Sequence, residues 1–247
     1  MPTERKLVRV LAADAELGAG LSENDLAAAE RYAVAEAMRV PAGEWEPAHD
    51  VRPGAGDLGL LVLGGLLKRR LEVANSACAE LLGHGDLLRP WQEDAGWEGA
   101  GVAADWEVLE PAWLAILDRR FAATAGRWPE LLDAIVGRSV RRSRTLAFHM
   151  ALSHLTRVDV RLLALFWHLA DRWGRVGPEG IVVSLPLTHQ TLASLVGAQR
   201  PSVTTALGGL ADAGRVTKRE DGAWVLHGGA PDELATVGAP VRLAGTG

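Results

Sequence analysis

The sequence predicts an α+β chain: a β-rich front, one long helix, and a small helical unit that ends in a hairpin. Three observations carry this. Residues 44–110 are short apolar runs punctuated by glycine, and residues 129–155 keep a helical pattern throughout. From residue 187 two short amphipathic helices flank a glycine and lead into an Asp-Gly turn. At 247 residues, 48% hydrophobic and 23% charged, the chain has globular composition and room for two modest domains. Its longest apolar run, LGLLVLGGLL, is about half of what a membrane-spanning helix needs. The first residues lack an apolar stretch with a small-residue cleavage site, so a cytoplasmic protein that does not enter membranes is expected. Cys78 is the single cysteine, which excludes an internal disulfide, a four-cysteine iron–sulfur site and a zinc knuckle. A small buried apolar role is expected for it.

Taken in order, SENDLAAAERYAVAEAMR predicts a helix over 22–39, with Ser22 as N-cap and acidic residues in the first turn. LGLLVL, then Gly64-Gly65, then LLKRRLEV reads as a hairpin-like pair of strands. ACAELLGHGDLL and WEVLEP add strand and turn signals, so the front is expected to be a small jelly-roll-like β-roll. Trp45, Trp91, Trp97, Trp106 and Trp113 concentrate there; core packing is the expected role, and stacking on a planar effector is the alternative. Helix is predicted again over 111–124, with Pro111 in the first turn. The long helix follows. Leu132, Val136, Leu146 and Met150 form an imperfect heptad seam, interrupted by Ser139 and Ser143, along which two copies could pack. Arg138, Arg141, Arg142 and Arg144 read as a solvated face of that helix. TRVDVRLLALFWHLADRWG predicts a helix over 156–174, capped by Thr156 with Asp159 three residues on, and ended by Gly174. GIVVSLP is a short strand.

The segment LTHQTLASLVGAQRPSVTTALGGLADAGRV carries the chemistry. Thr188 caps a first helix whose apolar side is Leu192, Leu195 and Val196, and Gly197 makes the turn. The second helix buries Val203, Ala206, Leu207 and Leu210, spaced as one helical stripe. Ser202, Thr204, Thr205, Gly208 and Gly209 leave its other face small, polar and uncharged, suited to close approach against a groove wall. GRVTKREDGAWVLHG then supplies a two-stranded wing around Asp221-Gly222 that bears Lys218 and Arg219. Helix, turn, helix and wing define a winged helix-turn-helix. In such a unit the second helix enters the major groove, and the wing and helix N-termini hold phosphates.

Charge is divided along the chain. Net charge is −5, but residues 138–247 carry 13 Lys and Arg against 8 Asp and Glu, and the first 137 carry 13 against 23. An acidic front with a basic back fits a protein of which only one domain meets a polyanion.

Residues 129–227 resemble the dimerisation helix and C-terminal winged helix of the Crp/Fnr family of bacterial transcription regulators. LTHQTLASLVGAQRPSVTTALGGLADAGRV follows that family's pattern over its whole length, and LLGHGDLL resembles the glycine turn of its cyclic-nucleotide-binding-like roll. The resemblance implies a roll-shaped sensor domain over 1–125, a dimerisation helix over 126–155, a winged helix-turn-helix over 156–230 and a disordered tail over 231–247. It also implies a homodimer on double-stranded DNA, with RNA polymerase as a candidate partner. Arg200 falls where the family places an arginine at the start of the recognition helix, where it can donate a bidentate pair to guanine. The following family glutamate is Pro201 here, and the second arginine is Thr205, so a different target sequence is implied. Pro201 discourages helical geometry before it, so Arg200 is expected to serve as N-cap. Gln199, Ser202 and Thr204 complete the candidates on that helix. Thr188, His189 and Gln190 stand where a phosphate is held at the first helix's N-terminus.

In the family's nucleotide binders a glycine–glutamate pair follows the GDL turn and an arginine about ten residues later neutralises the phosphate. Here Arg89-Pro90-Trp91 follows, and residues 90–118 contain neither Lys nor Arg. A buried phosphate without a cation is costly, so cyclic AMP is not expected to bind in the usual manner. No cofactor and no metal are expected, and the effector, if any, is unassigned. The competing class is a small-molecule enzyme on a cupin-like barrel. It lacks the clustered ligands such chemistry needs, since the barrel region offers only His49 and His84, and no nucleophile elbow, Walker loop or dinucleotide fingerprint is present.

Overall fold

Two long strands, β4 (Gly59–Val73) and β7 (Val102–Leu117), organise the front of the chain. The computed structural model describes residues 4–73, 76–92 and 102–230. Trp97 and the tail expected over 231–247 lie outside these described residues. The chain divides into two units, Met1–Met150 and Ala151–Gly247.

The first unit begins with β1 (Arg5–Arg9), α1 (Val10–Ala13) and α2 (Glu23–Tyr32), then β2 (Val34–Val40), β3 (Gly43–Trp45) and α3 (Pro47–Asp50). After β4 come β5 (Ser76–Leu82) and β6 (Leu87–Leu88), and β7 leads into α4 (Arg119–Ala125) and α5 (Pro129–Ser153). All pairings are antiparallel, in the order β1-β2-β7-β4-β5, with β3 on β7 and β6 on β4. One face, with Leu61, Ala115 and Leu117, packs in a core with Leu11, Leu17, Phe121, Leu131 and Ile135 from the helical segments. The other closes on itself around Met38, Leu60, Val62, Leu82, Val108 and Leu114. Trp45 and Trp106 are buried in this second core, edge to face with centroids 5.7 Å apart, and Trp45 Nε1 donates to Asp50 at 3.0 Å. Packing is therefore what these two tryptophans do.

Several sequence expectations give way here. The helix from Ser22 keeps its cap, since Asp25 N donates to Ser22 Oγ, but it ends at Tyr32. Residues 34–40 are a strand instead, because pairing with both β1 and β7 outweighs the helix propensity of an alanine-rich segment. Gly64-Gly65 does not turn a hairpin; β4 runs straight through it with a register shift against β7. A Cβ on Gly65, whose φ is +88°, would come within 2.5 Å of Ala112 Cα and the Pro111 carbonyl oxygen, so the pair marks a bulge where two backbones meet closely. Pro111 sits opposite, in β7 and not in a helix; the irregular pairing tolerates a residue without an N–H. The helix predicted over 111–124 shrinks to α4, capped by Asp118, which accepts from Phe121 N at 2.8 Å. Cys78 is exposed on β5 and not buried.

The arginines of α5 are the largest departure from a solvated face. Leu131, Ile135, Arg138 and Arg142 share the side of the helix turned to the roll. Arg138 is only 3% exposed; its Nη2 meets both oxygens of the buried Asp14 at 2.7 and 2.8 Å, and its Nη1 reaches Glu16 at 2.9 Å. Arg142 grips Glu80 through Nε at 3.1 Å and Nη2 at 2.6 Å, and Arg69 joins the same carboxylate at 2.8 Å. Arg141 and Arg144 are exposed, as expected. Arg138 holds the Glu16 carboxyl below its ordinary value. Burial pushes Glu80 up, but Arg142 and Arg69 outweigh it and the net direction is down. On the adjacent side of the helix Val136, Leu146 and Met150 are exposed, Met150 by 67%, with Ser139 and Ser143 beside them and Leu132 half-buried.

Candidate nucleic-acid interface

The second unit starts with α6 (Val158–Trp173) and the hairpin β8 (Gly174–Gly177) and β9 (Gly180–Val183). It continues with α7 (His189–Val196), α8 (Arg200–Asp212), β10 (Val216–Lys218) and β11 (Trp224–Leu226), and its strands follow the order β10-β11-β9-β8. Thr156 makes no cap: Arg157 occupies that position and pairs with Asp159, while Gly174 ends the helix as expected. Strand β8 is absent from the sequence expectations, though Gly177-Pro178-Glu179-Gly180 is a turn signature that could have revealed it.

The helix–turn–helix forms for the local reasons the residues suggest. Thr188 accepts from Thr191 N at 3.0 Å and caps α7. Leu192, Leu195 and Val196 are buried, and Gly197 takes the left-handed conformation, φ +60° and ψ 46°. Val203, Leu207 and Leu210 of α8 are buried and Ala206 is half-buried. Arg161 of α6 contributes a bond that no local signal predicts: its Nη1 donates to the carbonyls of Val196 at 3.1 Å and Gly197 at 3.2 Å. These are orphan acceptors at the end of α7, so one guanidinium fixes the turn between the two helices.

Helix α8 begins one residue earlier than expected. Gln199 is the N-cap, without a side-chain bond, and Arg200 and Pro201 lie in the first turn. First-turn N–H groups have no partner inside the helix, so Pro201 removes nothing there. Gln199, Arg200, Ser202, Thr204, Thr205, Gly208 and Gly209 are all exposed, which leaves the small polar face of α8 open. The Thr204 and Thr205 hydroxyls donate back to the carbonyls of Arg200 and Pro201 at 3.1 and 3.2 Å, so toward an outside group each acts mainly as an acceptor and a methyl.

The structure brings four of the expected site residues together. His189 Nδ1 lies 2.9 Å from Thr204 Oγ1, linking the start of α7 to α8. Burial, with Lys218 and Arg200 nearby, holds the His189 imidazole below its ordinary value. Lys218 Nζ sits 5.1 Å from the centre of the Trp224 ring, a cation–π contact on the wing. Arg219, by contrast, pairs with Asp221 at 3.0 Å. The wing turn closes as expected: Gly222 N donates to the Arg219 carbonyl at 3.0 Å, and Ala223 N to Asp221 at 3.0 Å. Gln190 is exposed on the outer side of α7, while the Thr188 hydroxyl is already engaged by the cap. Among the described residues no carboxylate pairs with Arg200 or Lys218, and no three His, Cys, Asp or Glu side chains gather as a metal site.

A roll with a long helix, followed by a winged helix-turn-helix, is the architecture of the described residues. Residues 160–227 match the model of the Crp-like helix-turn-helix domain. The regulatory protein CysR of Synechococcus elongatus is 34% identical over 86 residues, which span 34% of this chain and 40% of that protein. Among solved structures, a CooA mutant from Carboxydothermus hydrogenoformans superimposes with a TM-score of 0.60 at 17% identity, covering 81% of this chain and 86% of that one. A CRP/FNR family regulator from Thermus thermophilus gives 0.53 at 21% identity, covering 81% and 95%. Residues 160–227 are thus similar to a Crp-like helix-turn-helix domain, and the chain shares the fold of these solved regulators. No helix among the described residues is long and apolar enough to cross a membrane.

Proposed function

We propose that this protein is a homodimeric, sequence-specific DNA-binding regulator whose roll does not take cyclic AMP in the usual manner. The exposed, uncharged face of α8, opened by Arg200 and flanked by Lys218, carries this reading. That face is free of bulky side chains and its cations are not neutralised by carboxylates, as a surface meeting phosphates requires. Arg200 reads base edges. Gln199, Ser202, Thr204 and Thr205 contact bases or phosphates, and Thr188, His189, Gln190, Lys218 and Arg219 hold the backbone. The exposed seam of Val136, Leu146 and Met150 supports pairing of two copies, which sets two recognition helices on half-sites about one helical turn apart.

Against the usual nucleotide, Arg89 Nη2 already donates to the Asp57 carbonyl at 3.2 Å, and Trp45 and Trp106 occupy the roll's inner core. Selection of bound fragments from genomic DNA, followed by binding assays across a salt series, tests the main claim. A palindromic motif and a steep loss of affinity with salt are expected; a salt-independent or absent interaction refutes it. Calorimetry with cyclic AMP tests the second claim, which fails if micromolar binding occurs and survives Arg89→Ala.

A further inference from the structure

We propose that His189 is a proton-dependent phosphate ligand: Thr204 fixes its ring so that Nε2 can meet a DNA phosphate only as an imidazolium, and DNA binding takes up one proton per chain. This rests on the DNA-binding reading above.

The hydrogen-bond balance leads there. Thr204 Oγ1 has one proton and two neighbours, the Arg200 carbonyl at 3.1 Å and His189 Nδ1 at 2.9 Å. The hydroxyl donates to the Arg200 carbonyl, and with its one proton placed there the contact with the ring is Nδ1–H donating to Oγ1. Neutral His189 then carries its proton on Nδ1 and presents a bare lone pair at Nε2. Among the described residues Nε2 has no hydrogen-bonding partner. A phosphate oxygen is also acceptor-only, so the neutral ring repels it. Protonation at Nε2 turns that clash into a charge-assisted bond without disturbing the bond to Thr204.

The surroundings set the free protein to the neutral side. Arg200 and Thr204 face the ring from α8, Lys218 from β10, and the Trp224 ring lies 6.4 Å away on β11. Burial first, then Lys218 and Arg200, hold the imidazole below its ordinary 6.5. A phosphate arriving among these cations reverses the balance, so the bound state holds the proton that the free state lacks. By linkage, affinity rises as pH falls through the interval between the free and bound values, by about tenfold per pH unit at most for each proton. Folding has the opposite sign, because a depressed value in the folded protein lowers stability as pH falls.

The full-length protein is titrated with a duplex recovered by genomic selection and with a random duplex of equal length, from about pH 8 to about pH 6. Calorimetry in two buffers of different ionisation enthalpy counts the protons taken up. We expect tighter binding of both duplexes in acid and an uptake near one proton per chain. His189→Gln removes both effects, while His189→Arg binds tightly across the range. His227→Gln leaves both effects in place, since that ring is held between Thr217 and the Glu179 carbonyl. Intact binding with no proton uptake overturns the inference and leaves the DNA-binding reading standing; so does uptake that persists in His189→Gln. Absence of binding to either duplex at every pH overturns both.

Discussion

The two units treat their positive charge in opposite ways. In the first, Arg138, Arg142 and Arg69 are drawn under the surface and matched to Asp14, Glu16 and Glu80. In the second, Arg200 and Lys218 remain at the surface without a carboxylate, close enough to His189 to disfavour its protonation. Charge neutralised within a fold serves position: here it sets α5 in one register against the roll. Charge left outstanding costs little in water and remains available to a polyanion. An arginine's partners therefore say more about its role than a count of arginines does.

Removing one buried cation puts this contrast to its most severe test. Arg138→Ala leaves Asp14 buried without its partner and should cost about 3–5 kcal/mol in urea unfolding, whereas Arg200→Ala should stay within about 0.5 kcal/mol of the parent. Replacing both partners with apolar residues, Arg138→Met with Asp14→Leu, should recover most of the loss. Equal small losses for Arg138→Ala and Arg200→Ala would show that the buried pair does not set the helix.

Gly65→Ala ranks next. A Cβ at positive φ against the β7 backbone should cost about 1–3 kcal/mol, read as a lower denaturation midpoint with DNA affinity per folded molecule unchanged. On the binding side, Arg200→Ala should weaken a selected duplex by about 1–3 kcal/mol more than a random one, while Lys218→Ala weakens both alike. Parallel losses for the two variants would remove the division between base reading and phosphate holding.

Acid probes the buried network as a whole. Glu16 and Glu80 are held below their ordinary 4.5, so the unfolded chain binds more protons than the folded one in that range. Their contribution is present above 4.5 and is lost as pH falls through the depressed folded values. The Glu80→Gln variant should flatten that part of the stability profile.

The mildest variant should bring a gain. A Cβ on Gly208 meets nothing within 4 Å, so Gly208→Ala should stabilise the domain by up to about 1 kcal/mol. If the groove wall approaches this face, the same variant should bind DNA more weakly. Unchanged affinity would place α8 further from the duplex than proposed.

Legibility in the sequence followed the range of the interactions. Thr188, Gly197 and Asp221-Gly222 act on residues within three or four positions, and each does in the structure what its type suggests. The segment 34–40 is different. Its alanines fit a helix, and only partners on β1 and β7 make it a strand. Arg161 bonds to residues 35 and 36 positions away, and nothing beside it announces that bond.

The local sequence thus determined the winged helix-turn-helix, because caps, left-handed glycines and hairpin turns are set by neighbouring residues. Tertiary structure alone decided the strand order of the roll, the bulge at Gly65 and the burial of Arg138. Those depend on contacts such as Arg138 with Asp14, 124 residues apart, whose energy exists only once the chain has closed.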